Sequence, residues 1–231
     1  MPADDAARPV PHLPPGVTAP GSHAGSGNVP GSESAAGSGD ATQRRRESAG
    51  LDPSTLEVVR ARREHARGII ALRDTLARWM QARGIDQWRE GEFALDHVEQ
   101  EIDRDEWWVM ESPQRPGDVL ASVRVIWEDL PIWGPQPQPA GYIHGVAVDR
   151  SLSGTGTGTR LIRVAEQAIA ASGRTISRLD CDESNPVLQP FYAGLGYTPR
   201  GAVDFDVPGM DYRVRVLRME RSLAPVTPAT R

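Results

Sequence analysis

The residue pattern predicts an α/β domain with a mixed, mostly antiparallel central sheet flanked by helices, and two observations carry that reading. Short alternating apolar segments, the mark of half-buried strands, are interleaved with longer segments whose apolar residues recur at helical spacing. One strand also runs directly into a Gly/Thr loop that opens onto a helix, and the last folded stretch reads as two neighbouring strands. No internal repeat is visible.

Residues 1–50 are dominated by Gly, Ser, Ala and Pro. Such a stretch cannot bury enough apolar surface to offset the entropy of ordering, so a disordered tail is expected. Arg44-Arg45-Arg46 is its concentrated charge and reads as a solubilising run rather than a docking contact. The folded domain is expected over 51–224, with a flexible C-terminus over 225–231. Within it, Leu56 to Arg60 alternates as a strand, and Glu64 to Ala82 carries Ile69, Ile70, Leu72, Leu76, Trp79 and Met80 on one helical face. Gly84 to Trp88 forms a turn, and Phe93, Leu95, Val98 and Ile102 mark a second, more acidic helix ending near Arg104. Strands follow at Trp107–Glu111 and Val119–Trp127, separated by a Pro/Gly turn from Ser112 to Asp118. A proline-rich loop, Asp129 to Ala140, leads into the strand Tyr142–Val148. The next helix, Thr159 to Ser172, repeats Leu161, Ile162, Val164, Ala165, Ala168 and Ile169, and Gly173 suits its stop. Thr175–Cys181 alternates as a strand, Asn185-Pro186 is a helix cap with proline at the first position, and Thr198–Val207 and Tyr212–Arg221 close the chain as strands.

Composition narrows the function. The chain has 231 residues, a formal charge of −5 and one cysteine, which fits one domain without a disulfide framework and a cytoplasmic location. No apolar run approaches a membrane span, and no basic region leads into an apolar core at the N-terminus, so neither membrane insertion nor secretion is expected. The basic residues are all arginine and are scattered, which gives nucleic acid no footprint. Cys181, without partners for nucleophilic chemistry, reads as core, and no metal is expected.

The stretch from Val146 to Ile162 is the most informative. Glycines at 154, 156 and 158 let successive backbone N–H groups converge, and the first turn of the following helix adds unpaired N–H groups with a partial positive charge, so an anion such as a phosphate is the natural occupant. A nucleoside-triphosphate loop needs a lysine after its last glycine, and the chain has none. The dinucleotide fingerprint needs a different glycine spacing.

With its flanks, the segment resembles the acetyl-CoA loop of the GCN5-related N-acetyltransferase (GNAT) family, whose motif Gln/Arg-x-x-Gly-x-Gly/Ala falls on Ser153-Gly154-Thr155-Gly156-Thr157-Gly158. The helix after it resembles the family's cofactor helix, and Phe191-Tyr192-Ala193-Gly194-Leu195-Gly196-Tyr197 resembles the family's Phe/Leu-Tyr-x-x-x-Gly-Phe/Tyr signature. The resemblance implies that the strands holding Tyr142–Val148 and Thr175–Cys181 are a parallel pair that splays apart to admit the pantetheine arm. It also implies an acetyl-CoA-dependent N-acetyltransferase.

Such a transfer needs an anchored pyrophosphate, a polarised thioester carbonyl, a deprotonated amine and a proton for the leaving thiolate. The anchor falls on the amides of Ser153, Gly154, Thr155, Gly156, Thr157, Gly158 and Thr159, with the threonine hydroxyls as further donors. Ser153 and Thr155 stand where the family commonly places basic residues, and Arg150 or Arg160 could compensate. The resemblance gives Val146, Ala147 and Val148 the role of holding pantetheine and the carbonyl through their backbone, with Gly145 marking a bulge. It makes Tyr192 the proton donor, with Pro190 threatening a kink beneath it. Asn185 falls at a cofactor-contacting position and also suits a cap. The general base falls on His144, with Glu128, Asp129 or a water as alternatives.

The acceptor wall is expected from Trp88, Glu92, Asp96, Glu99, Trp127, Glu128, Asp129 and Trp133, since carboxylates beside indoles suit a cation. A small-molecule amine such as an amino sugar, antibiotic or metabolite is the first reading. A protein N-terminus or lysine, or a domain that binds acetyl-CoA without catalysis, are the alternatives. A homodimer is open.

Overall fold

The computed structural model describes residues 52–85, 87–206 and 213–224. The expected tail, C-terminal segment and strand ends at Val207 and Tyr212 lie outside the described residues. Seven strands join in one sheet: β1 (Val58–Arg60), β2 (Trp107–Ser112), β3 (Arg115–Ile126), β4 (Gly141–Val148), β5 (Ile176–Asp182), β6 (Thr198–Asp206) and β7 (Arg213–Ser222), in the order β1-β2-β3-β4-β5-β7-β6. Every pairing is antiparallel except β4 with β5. The helices are α1 (Ala66–Gln81), α2 (Leu95–Asp103), α3 (Leu130–Trp133), α4 (Thr157–Ala171) and α5 (Leu188–Gly194). The mixed, mostly antiparallel sheet with one splayed parallel pair is therefore the architecture found.

Strand periodicity sorts the core onto two faces. Trp108 and Met110 of β2 join Val123, Val125, Ile143 and the α4 stripe Leu161, Ile162, Ala165 and Ile169 on one face. The alternate residues Trp107 and Val109 join Ile69, Leu72 and Leu76 of α1 and Val98 and Ile102 of α2 on the other. Each fully buried Leu or Ile contributes about 2–3 kcal/mol by the area it removes from water. α4 packs against β3, β4 and β5, so one amphipathic helix spans the place where the sheet divides.

Two expectations change here. Arg115 to Asp118, read as turn, belongs to β3: Ser112 pairs with Arg115, and register shifts on either side of Glu111 absorb Pro116 and Gly117, the latter at φ 88°. The Gly117 N–H donates to the Glu111 carboxylate at 2.5 Å, so the irregular edge keeps a partner. The proline-rich loop contains α3, because Asp129 caps it and Pro131 sits where a helix needs no N–H.

Gly145 adopts φ 58°, and the β3–β4 register slips between Ser122 and Arg124 beside it. That is the expected bulge. A Cβ at this position would stand 2.8 Å from the Trp107 ring, so glycine is required both by the backbone turn and by the packing beneath it. Gly145→Ala is expected to lose about 2–4 kcal/mol of stability in denaturant unfolding, from the strained φ together with the clash.

Candidate active site

The parallel ladder between β4 and β5 holds three pairs only, Gly141 with Ser177, Tyr142 with Arg178 and Ile143 with Leu179. Beyond Ile143 the two strands part. β4 stays with β3 through Val148, and β5 stays with β7 through Asp182. His144 and Asp180 are the first residues past the parting on either side. The glycine loop lies beyond the end of β4, so it caps the open end of this fork.

His144 shares the α1/α2 face with Arg124, its cross-strand partner. Two carboxylates lie against its ring: Asp129 Oδ2 is 3.2 Å from Nε2, and Asp180 Oδ1 is 3.8 Å from Nδ1. Asp129 is buried and fixed by the α3 amide of Ile132, which donates to its Oδ1. The Nε2–Oδ2 contact is close but off the ideal hydrogen-bond line. The three donor atoms lie within 4.8 Å of one another. The two carboxylates therefore converge on the imidazole and on each other.

Burial opposes protonation of His144, but Asp129 and Asp180 more than offset it, with Arg124 a smaller opposing charge, and its pKa stands above the ordinary histidine value. Burial pushes Asp180 up to about 6, against the pull of His144 and with the push of Asp129. Arg124 is itself neutralised by Glu101 at 2.6 Å and Glu106 at 2.6 Å. The fully buried Glu101 also accepts from the Trp107 indole and meets His97 at 2.9 Å.

Tyr192 reaches the fork from the opposite face, buried among Cys181, Tyr197 and the α4 stripe. Burial, with Cys181 and Asp180 nearby, pushes its phenol far above the ordinary value, and the Cys181 thiol is likewise pushed up to about 11. The Cys181 side chain is core, as expected. Tyr197 closes the signature by hydrogen bonding Ser177 at 2.7 Å, which ties the α5–β6 corner to β5. Pro190 lies in the first turn of α5, where no helical N–H is lost, so it does not bend the helix under Tyr192. Asn185 accepts from Val187 N–H at 3.0 Å and Leu188 N–H at 3.3 Å, but α5 begins at Leu188 after its N-cap Val187, so Asn185 and Pro186 precede the helix and do not form its cap and first position.

In the loop, Gly154 and Gly156 take φ 76° and 81°, and a Cβ at either would meet open space. The N–H groups of Ser153, Thr155 and Arg160 close turns onto Arg150, Leu152 and Gly156. Those of Gly154, Gly156, Thr157, Gly158 and Thr159 have no backbone partner among the described residues. The hydroxyls of Thr155 and Thr157 are not the free donors expected: Thr155 donates to Leu152 O at 2.7 Å and meets Thr157 at 2.8 Å. Nor do the two arginines reach the loop. Arg160 donates to the carbonyls of Pro53 and Leu56, and Arg150 lies 4.2 Å over the Trp79 ring.

The expected acceptor wall does not assemble. Trp133 is buried as core against Tyr142 and Val216, because α3 turns it under the sheet. Trp88 lies under Arg73 at 4.1 Å, Glu92 pairs with Arg73 at 3.1 Å, and Glu99 pairs with Arg63 at 3.3 Å. Asp96 is exposed in the first turn of α2, where it accepts from His97 N–H at 2.9 Å. Trp127 is exposed at the closed end of the fork, stacked 4.4 Å from Arg174. Glu128 stands in solvent, outside the His144 cluster that its neighbour Asp129 joins. Sequence reasoning missed Asp180. The alternation of Arg178, Asp180 and Asp182 along a strand otherwise read as buried is the signal that marks it.

A model of the acetyltransferase (GNAT) family matches residues 72–197. YesJ of Bacillus subtilis (strain 168), an uncharacterized N-acetyltransferase, is 30% identical over 144 residues, covering 60% of this chain and 79% of YesJ. A GNAT-family acetyltransferase from Listeria monocytogenes superposes with a TM-score of 0.57 at 24% identity, covering 73% of this chain and 95% of that one. YncA of Salmonella typhimurium, solved with its cofactor acetyl-CoA, superposes with a TM-score of 0.55 at 12% identity, over 76% and 98% of the two chains. The two superpositions show a shared fold.

Since a carboxylate favours the charged imidazole beside it, Asp129→Asn is expected to lower the His144 pKa, read by NMR titration of its ring signals. An unchanged or raised value would contradict the assignment of Asp129 as a partner that raises it.

Proposed function

The chain belongs to the acetyltransferase (GNAT) family and is an N-acetyltransferase, and from that premise we propose that it passes the acetyl group of acetyl-CoA to the primary amine of a small molecule. The observation that carries this reading is the pair at the fork, a histidine on one face of the sheet and a tyrosine on the other, with a ring of unpartnered amides at the open end. In this reading the two side chains serve the same reacting carbon, each from its own face of the sheet.

The glycine loop fits a pyrophosphate: its free amides converge, its positive-φ glycines leave the approach clear, and the dipole of α4 points the right way. Backbone amides of Val146, Ala147 and Val148, past the bulge at Gly145, are suited to the pantetheine arm and the carbonyl oxygen. Acetyl-CoA, when bound, supplies a thioester whose carbonyl carbon is open to attack and whose thiolate departs.

His144 takes the proton. Asp129 faces Nε2, which leaves Nδ1 as the nitrogen to accept a proton from the acceptor ammonium. Tyr192 gives a proton. Its raised pKa keeps the hydrogen in place until a thiolate develops beside it. Glu128, standing in solvent, is the weaker choice of base. The two carboxylates beside His144 suit the ammonium of an acceptor amine.

The test is acetyl-CoA-dependent thiol release against a panel of small amines and of peptides with free N-termini or lysines. Small amines are expected to turn over and peptides not; the reverse would overturn the acceptor class, and no acetyl-CoA binding at all would overturn the reading. Tyr192→Phe is expected to cut kcat by about 10²-fold. For pH, His144 must be neutral to accept, and its pKa is raised, so activity falls on acidification from above the usual histidine range, and His144→Gln removes that limb from the kcat/KM profile.

A further inference from the structure

One ionisable group at the fork has no task in the reaction described so far. Asp180 is the first β5 residue past the Ile143–Leu179 pair, as His144 is the first of β4, so the two are the opening side chains of the gap. The Asp180 Oδ1 to His144 Nδ1 distance of 3.8 Å is too long for a hydrogen bond between them. It is the right width for a shared donor. A nitrogen at roughly 2.8 Å from two acceptors 3.8 Å apart sees them about 85° apart, within bending of the tetrahedral angle, and can donate one hydrogen to each.

The charges facing the gap select the sign of that donor. From β4 comes His144, from the start of α3 comes Asp129, and from β5 comes Asp180. The cation on β3, Arg124, is matched by Glu101 and Glu106. From α5 and the other face of β5 come Tyr192 and Cys181, both kept neutral by burial. The two carboxylates outnumber the one imidazole there, and Asp180, ionised above about pH 6, carries negative charge to the mouth of the gap.

We propose that Asp180 Oδ1 and His144 Nδ1 together seat the ammonium group of the acceptor, and that Asp180 is the residue that selects a primary ammonium over a neutral alcohol. The inference rests on the acetyl-transfer reading above and adds the binding contact. One ammonium N–H bond breaks, its proton passes to Nδ1, and the freed electron pair stays on nitrogen. A second N–H remains donated to Asp180. The amine turns about that retained bond to aim its electron pair at the carbonyl carbon. Asp180 itself neither gains nor loses a proton.

The experiment uses the full chain with hexylammonium chloride as probe and hexanol as the neutral control. In wild type at pH 7.5, hexylammonium is expected to move the His144 ring signals saturably, assigned by their loss in His144→Gln, and hexanol is not. Asp180→Asn, which keeps the shape and removes the charge, is expected to weaken that saturation about tenfold, and to raise KM for hexylamine acetylation more than it lowers kcat. Asp180→Glu is expected to restore part of the loss. Acetyl-CoA affinity is expected to stay within about twofold in both variants. No movement of His144 with hexylammonium in wild type, equal movement with hexanol, or unchanged saturation in Asp180→Asn each overturns the proposal. Failure of wild type to bind acetyl-CoA overturns the parent reading instead, while the hexylammonium titration still decides this one.

Discussion

The three residue pairs that join β4 to β5 are the constraint on which the rest depends. Two half-sheets, β1 to β4 and β5-β7-β6, meet only there, and past that seam the inner edges of both strands face a gap. The seam survives because its closed end is packed from above. Gly141 has Ile169 of α4 so close that a Cβ would stand 2.3 Å from it, which allows the helix to sit directly on the joint. The gap survives because Gly145 turns β4 away just after His144, while β5 remains committed to β7 as far as Asp182. Unpaired backbone at such a gap costs roughly 1–3 kcal/mol per buried group, which is the incentive for a ligand that brings its own donors and acceptors.

Charge on the acceptor face follows from the same layout. Arginines there are individually matched: Arg124 by Glu101 and Glu106, and the buried Arg178 by Glu220 at 2.8 Å, with the Tyr142 hydroxyl accepting a further bond at 2.9 Å. A buried ion pair adds little net stability, but breaking one leaves an uncompensated charge that costs several kcal/mol. Matched pairs therefore leave the surplus carboxylates to set the local field. Those are Asp129 and Asp180, both beside His144, and its raised pKa derives from them.

What the sequence disclosed and what it hid divide along contact range. Strand alternation at 107–111 and 142–148, helical spacing at 66–81, the glycine loop and the Tyr192 signature are all local patterns, and the structure holds elements at those places. The start of β3 was obscured because Pro116-Gly117 reads as a turn, although bulged pairing with β2 tolerates both. α3 was obscured by the surrounding prolines, although Asp129 and Pro131 together spell a helix start. The side-chain assignments failed where partners are distant in the chain. Arg160 is drawn to Pro53 and Leu56, Trp133 to Tyr142, and Glu92 to Arg73, and no spacing rule reports such pairs. Asp180 meets His144 only because two strands run parallel, a relation that appears once the crossover through α4 is closed.

The loss of Arg150 and Arg160 as free charges has a compensating effect on the loop they flank. Arg160, early in α4, clamps the segment carrying Pro53 and Leu56, Arg150 covers Trp79 of α1, and the Thr155 and Thr157 hydroxyls brace the turn from within. A loop held at both ends by its neighbours loses little entropy when an anion docks, so its amides are already aimed before binding. Side-chain charge and preorganisation are alternative routes to the same affinity. Threonines and restrained arginines around alternating glycines favour the second, with the α4 dipole supplying the positive potential that a basic side chain would otherwise provide.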